Sequence, residues 1–224
     1  MTALSPTDDQ KAFVADVAAL EKRMFPGQMD DKDTARMKNV GKYSWLYRPS
    51  HHVATGLITR KDVEMLKQSD KRLLSVGAHP AYLEQLLCIL GVPAENIFIG
   101  DKDPGIALAD GLMDRTIFDA TGIWPEKIGT FDLIIFPESL CMAVGGDKKE
   151  QKDPKDFSSD AKEAAALAVI LQQGLKKLRD GGEIRANGPQ SHPNVVKAAT
   201  KILEDAGQKA VIDYDRFFLT VRKA

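Results

Sequence analysis

Residues Lys71 to Pro104 read KRLLSVGAHPAYLEQLLCILGVPAENIFIGDKDP. The apolar run Leu73-Leu74-Ser75-Val76 has the composition of a buried strand, and Gly77 ends it. A short turn follows, then helix-type apolar spacing from Tyr82 to Leu90, stopped by Gly91-Val92-Pro93. A second strand, Asn96 to Gly100, leads into the acid Asp101. Strand, glycine turn, helix, strand and acid is the layout by which an α/β sheet holds a nucleotide-like ligand at its strand ends.

Outward from this unit the alternation continues. Gly105 to Leu112 is helix-prone, Arg115 to Asp119 reads as a third strand, and Phe131 to Phe136 as a fourth. Gly145 to Asp156 is a loop of mixed charge. A long helix is expected from about Ser159 to Leu178, closed by Arg179-Asp180-Gly181-Gly182, with a fifth strand at Glu183 to Ala186. A helix from Pro193 to Ala206 precedes two last strands, Ala210 to Tyr214 and Arg216 to Val221. Too few residues separate those two for a crossover helix, so they are expected to pair as an antiparallel hairpin. The fold class that follows is α/β: a doubly wound, mainly parallel seven-stranded sheet with a C-terminal antiparallel hairpin and an N-terminal helical extension. Residues 1–70 form the extension or cap, and residues 71–224 the Rossmann-like domain.

In the extension, Ser5-Pro6-Thr7-Asp8 opens a helix whose apolar positions run from Phe13 to Met24, and Pro26-Gly27 stops it. Tyr43, Trp45 and Tyr47 form an aromatic cluster before Arg48-Pro49-Ser50-His51-His52, and Thr59 or Arg60 begins a short helix through Leu66.

Bulk properties narrow the class. The 224 residues suffice for one sizeable core, and 43% hydrophobic with 28% charged residues suits a soluble globular protein. A net charge of -1 supplies no global field for nucleic acid or an anionic membrane. Cys88 and Cys141 lie in apolar runs without metal-site spacing. With no signal peptide read at the N-terminus and no apolar run of about 18 residues, a reducing cytoplasmic location is expected.

The ordered motifs from Lys71 to Ala224 resemble the class I S-adenosylmethionine-dependent methyltransferases. The resemblance implies that Ser75 to Tyr82 is the turn that cradles the cofactor. It implies a cofactor-binding set of Gly77, Ala78, His79, Pro80, Tyr82, Asp101, Lys102, Asp119, Ala120 and Pro137. Asp101 would bind the ribose hydroxyls, and Asp119 with Ala120 would lie by the adenine. Phe131-Asp132 opens the fourth strand as in the family, so Pro137-Glu138-Ser139-Leu140 would line the reaction pocket. The expected partner is a small-molecule acceptor, with no nucleic acid, membrane or metal; oligomeric state stays open, a homodimer included. The turn departs from the family pattern of three alternating glycines, because His79 and Ala81 stand at the second and third positions. Two alternatives follow: a methyltransferase-like scaffold that has lost cofactor binding, or an NAD-dependent oxidoreductase, which the closing hairpin disfavours.

Among candidate catalytic residues, Glu138 follows the fourth strand, where such sheets place reacting groups. It could orient an acceptor hydroxyl or amine, and plain loop placement is the alternative. His52, beside His51 and Arg48, could act as a general base with an ordinary pKa of about 6.5; an ordinary surface loop is the competing reading.

Overall fold

The computed structural model describes residues 7–25, 48–77, 81–102, 114–137, 139–140, 157–187, 193–214 and 218–224. Several sequence expectations lie outside these: Ala78, His79, Pro80, Glu138, Cys141, the aromatic cluster of Tyr43, Trp45 and Tyr47, the segment Gly105 to Leu112 and the loop Gly145 to Asp156.

Seven strands form one sheet: β1 (Leu73–Val76), β2 (Ile97–Asp101), β3 (Asp114–Ile117), β4 (Phe131–Phe136), β5 (Leu178–Asn187), β6 (Ala210–Tyr214) and β7 (Phe218–Lys223). Their order is β3-β2-β1-β4-β5-β7-β6. The first five run parallel, while β7 pairs antiparallel with both β5 and β6. The chain winds outward from β1 in both directions. The carboxyl ends of β1 and β4 therefore flank a topological switch point, where open α/β sheets bind ligands.

Period-two alternation divides the sheet between two cores. On one face Leu73, Ile97, Leu133 and Ile135 pack against α1 (Asp8–Met24), α2 (Pro49–Ala54), α3 (Arg60–Leu66) and α4 (Tyr82–Ile89). On the other, Leu74, Val76, Ile134, Phe136, Ile184, Ala186, Leu219 and Val221 pack against α5 (Phe157–Lys177) and α6 (Pro193–Asp205). Trp124 is buried in this second core, its indole N–H donating to the Ala120 carbonyl at 3.0 Å. Each fully buried Leu, Ile or Phe contributes about 1.5–3 kcal/mol. Among the described residues, no helix is long and apolar enough to cross a membrane.

The N-terminal helices are held by more than apolar contact. Thr7 caps α1, accepting from the Gln10 amide at 3.2 Å, with Asp8 and Asp9 in the first turn and Lys22 and Arg23 in the last. Thr59 and Asp62 form a reciprocal capping box on α3. Asp62 also accepts both terminal nitrogens of Arg185 on β5, at 2.6 and 3.1 Å. Arg185 in turn meets Glu183 at 2.7 Å.

The segment Arg48 to His52, for which an ordinary surface loop was one reading, is instead the start of a helix. Proline stands in its first turn, and the buried Glu21 carboxylate accepts from the Ser50 amide at 3.0 Å. At the other end of the chain, Gly181-Gly182 does not close α5. That helix ends at Lys177 and β5 begins at once. The glycines lie in an irregular stretch where pairing jumps from Leu178↔Phe131 to Glu183↔Leu133. A Cβ at Gly182 would stand 2.7 Å from the Asp132 carbonyl, so the close approach of the two strands requires glycine.

The Phe131-Asp132 motif anchors the opposite end of the sheet from the switch point. Asp132 accepts from the Arg72 amide at 3.0 Å, Lys71 at 3.1 Å and Arg179 at 2.8 Å. The Arg72 guanidinium lies 4.2 Å from the centroid of Phe98 and 5.0 Å from that of Phe131.

Candidate functional site

The carboxyl ends of β1, β2, β3 and β4 form a ledge. Val76 is in register with Gly100, and Asp101 with Ile117. Backbone bonds extend the pairing past the strands. Gly77 donates to the Gly100 carbonyl at 2.7 Å, and Phe118 donates to the Asp101 carbonyl at 2.9 Å. Gly77, Asp101 and the segment after β3 are thereby brought side by side.

The turn after β1 is bracketed by two left-handed residues. Gly77 has φ +71°, which suits glycine. Ala81, directly before α4, has φ 61° and ψ 27°, so an alanine adopts a conformation glycine takes at less cost. The third position of the family pattern thus keeps the glycine backbone shape without the glycine. Tyr82 opens α4 with its ring 4.5 Å from that of Phe25, which brings the end of α1 beside the turn. Burial raises the Tyr82 phenol above its ordinary pKa.

Asp101 is the last residue of β2 and half-buried; Lys102 beside it is exposed. Beyond β3, which ends at Ile117 rather than Asp119, Asp119 starts a tight turn. One of its carboxylate oxygens accepts from the Thr121 amide at 2.9 Å and the Thr121 hydroxyl at 2.7 Å. Those bonds to Thr121, assisted by the charge of Lys102, hold its carboxyl below the usual range. Ala120 is half-buried and packs against the second core, and Pro137 is half-buried just past β4.

His52, the candidate general base, lies inside the fold. His52 is 3% exposed on α2, and Asn187, at the end of β5, donates to its Nδ1 at 3.0 Å. The same amide group donates to Thr55 Oγ1 at 3.1 Å. Burial, with the neighbouring His51, lowers its pKa to about 3, so the ring is neutral at physiological pH and a poor proton acceptor. The bond to Asn187 joins α2 to the end of β5.

Two contacts at the ledge escape the sequence. Ser75 on β1 donates to the carboxylate of Glu84 on α4 at 2.5 Å, and Glu84 is 1% exposed. Ser139, after β4, donates to the Val76 carbonyl at 2.5 Å. The signal for the first was a lone serine in a buried strand and a lone acid inside the apolar helix YLEQLLCI. For Ser139 there was only its position after the fourth strand.

No protein-family model matches the chain, and no curated protein matches it in sequence. Solved structures do match in fold. TrmN from Thermus thermophilus superposes with a TM-score of 0.52 at 15% identity, over 92% of this chain and 53% of TrmN, so this chain spans about half of that protein. CalS10, a SAM-bound amino pentose methyltransferase from Micromonospora echinaspora involved in calicheamicin biosynthesis, superposes with a TM-score of 0.50 at 13% identity. That match covers 85% of this chain and 95% of CalS10. Strand order, closing hairpin and these likenesses identify the fold as that of the class I S-adenosylmethionine-dependent methyltransferases.

Proposed function

We propose that the chain is an S-adenosylmethionine-dependent methyltransferase acting on a small or medium-sized nucleophilic acceptor. The observation that carries this reading is the juxtaposition of Gly77, at positive φ, with Asp101 on the adjacent strand end. A glycine at positive φ on a strand end, next to a half-buried carboxylate, fits a ligand with a polar tail and a diol. Gly77 and the turn through Tyr82 would hold the methionine portion. Asp101 would accept from both ribose hydroxyls, since a carboxylate offers two acceptor oxygens. Asp119 and Ala120, with Lys102, would border the base, although one Asp119 oxygen already serves the turn.

When bound, the cofactor supplies a methyl group activated by its sulfonium. The chain's own part is alignment and exclusion of water. Pro137 would border the acceptor, and Glu138, next to it in sequence, is our candidate for orienting the acceptor's hydroxyl or amine. The described helices of the N-terminal extension would border the site, since α2 meets the end of β5 through His52 and Asn187. A small acceptor accords with the net charge of -1, and CalS10 by name acts on an amino pentose.

Asp101→Ala tests the ribose assignment. Its affinity for S-adenosylhomocysteine, read by calorimetry, is expected to fall at least tenfold, about the loss of one charge-assisted hydrogen bond. A folded Asp101→Ala protein with wild-type affinity would refute the assignment.

A further inference from the structure

Ser139 is held on both sides. Leu140, next to it, is 1% exposed in the second core and fixes the chain there. The Ser139 hydroxyl donates to the carbonyl of Val76, the last residue of β1. Its side chain also fills the space that any side chain at Gly77 would need. A Cβ at Gly77 would lie 2.4 Å from Ser139 Cβ and 2.8 Å from its Oγ. One small hydroxyl side chain therefore binds the residue before the turn and packs on the turn's first residue. Alanine would fit the space without supplying the donor. Valine would supply no donor and add bulk against Gly77.

The two segments it joins have different tasks. β1 and β4 are neighbours in the sheet, and both end on the ledge. The turn after β1 is the methyl-donor side of the proposed site, and the segment after β4 is the acceptor side. Gly77 passes the constraint on, because its amide is bonded to the Gly100 carbonyl one residue before Asp101.

We propose that Ser139 is a positioning residue that latches the donor turn to the acceptor-side segment. By fixing Val76 and Gly77 it sets the backbone that receives the cofactor. This assignment rests on the methyltransferase reading above.

The test pairs Ser139→Ala with a cycle through Gly77. In ligand-free protein, Ser139→Ala should speed hydrogen exchange at the Gly77 amide roughly tenfold, because one hydrogen bond is lost. Its affinity for S-adenosylhomocysteine should weaken roughly tenfold at a temperature where both proteins are fully folded. A serine with a purely structural role would lower the unfolding midpoint and leave that affinity unchanged. Gly77→Ala should bind far more weakly than wild type. Gly77→Ala with Ser139→Gly should recover about tenfold or more of the loss, because the clashing side chain is gone while the positive-φ cost remains. Wild-type binding by Ser139→Ala, or strict additivity in the cycle, would overturn the latch alone. No binding by the wild-type protein would overturn the parent reading and the latch together.

Discussion

Between about pH 5 and pH 8 the protein is expected to lose on the order of 2–3 kcal/mol of stability through Glu84, and Glu84→Gln is expected to remove that loss. Glu84 is 1% exposed, and burial raises its pKa from 4.5 to about 7 against the opposing bonds from Ser75 and its own backbone. In the unfolded chain the carboxyl ionises at its ordinary value. Folding therefore favours the protonated form. The stabilising contribution is complete below the unfolded pKa and is lost as pH rises towards the folded one. Above about pH 7 both states are ionised, and the penalty is constant. Glutamine keeps an acceptor for the Ser75 hydroxyl and never ionises. The variant's advantage should be small near pH 5 and largest near pH 8, in urea unfolding at each pH. An equal difference at both pH values would show that Glu84 does not titrate in this range.

Asp62→Ala carries the other large effect, a loss of about 3 kcal/mol. It removes half of the capping box on α3 and one carboxylate partner of Arg185. The Asp62 and Arg185 side chains are only 10% and 15% exposed, so solvent compensates poorly for the missing charge. Glu183 stays beside Arg185, which keeps the loss below that of a wholly orphaned cation. Asp62→Asn should fall between, because its side-chain oxygen can still cap. Urea unfolding reads the sizes. Stability of Asp62→Ala within about 0.5 kcal/mol of wild type would show that docking of α3 on β5 does not depend on this pair.

Much of the sheet was legible because its parallel strands are buried on both faces. Leu73–Val76 and Phe131–Phe136 are short apolar runs, and such runs between helical patterns have few other readings. The final hairpin was legible from the short spacing between Tyr214 and Phe218. Gly181-Gly182 misled because paired glycines after an apolar helix signal a stop, whereas here the strand partner's backbone demands them. The places of Gly77 and Asp101 at adjacent strand ends could be read from the sequence. The inward turn of His52 could not. Two adjacent histidines beside Arg48 look exposed, whereas the long-range bond from the Ser50 amide to Glu21 and the facing Asn187 go with one of them turning inward. The bonds made by Ser139 and Glu84 were hidden for the same reason, since each reaches a residue of another element.

The most direct test is calorimetric titration of the wild-type protein with S-adenosylmethionine and S-adenosylhomocysteine. The account predicts saturable binding of both at a single site. Absence of binding to either at millimolar ligand would contradict it and favour a methyltransferase-like scaffold that holds no cofactor.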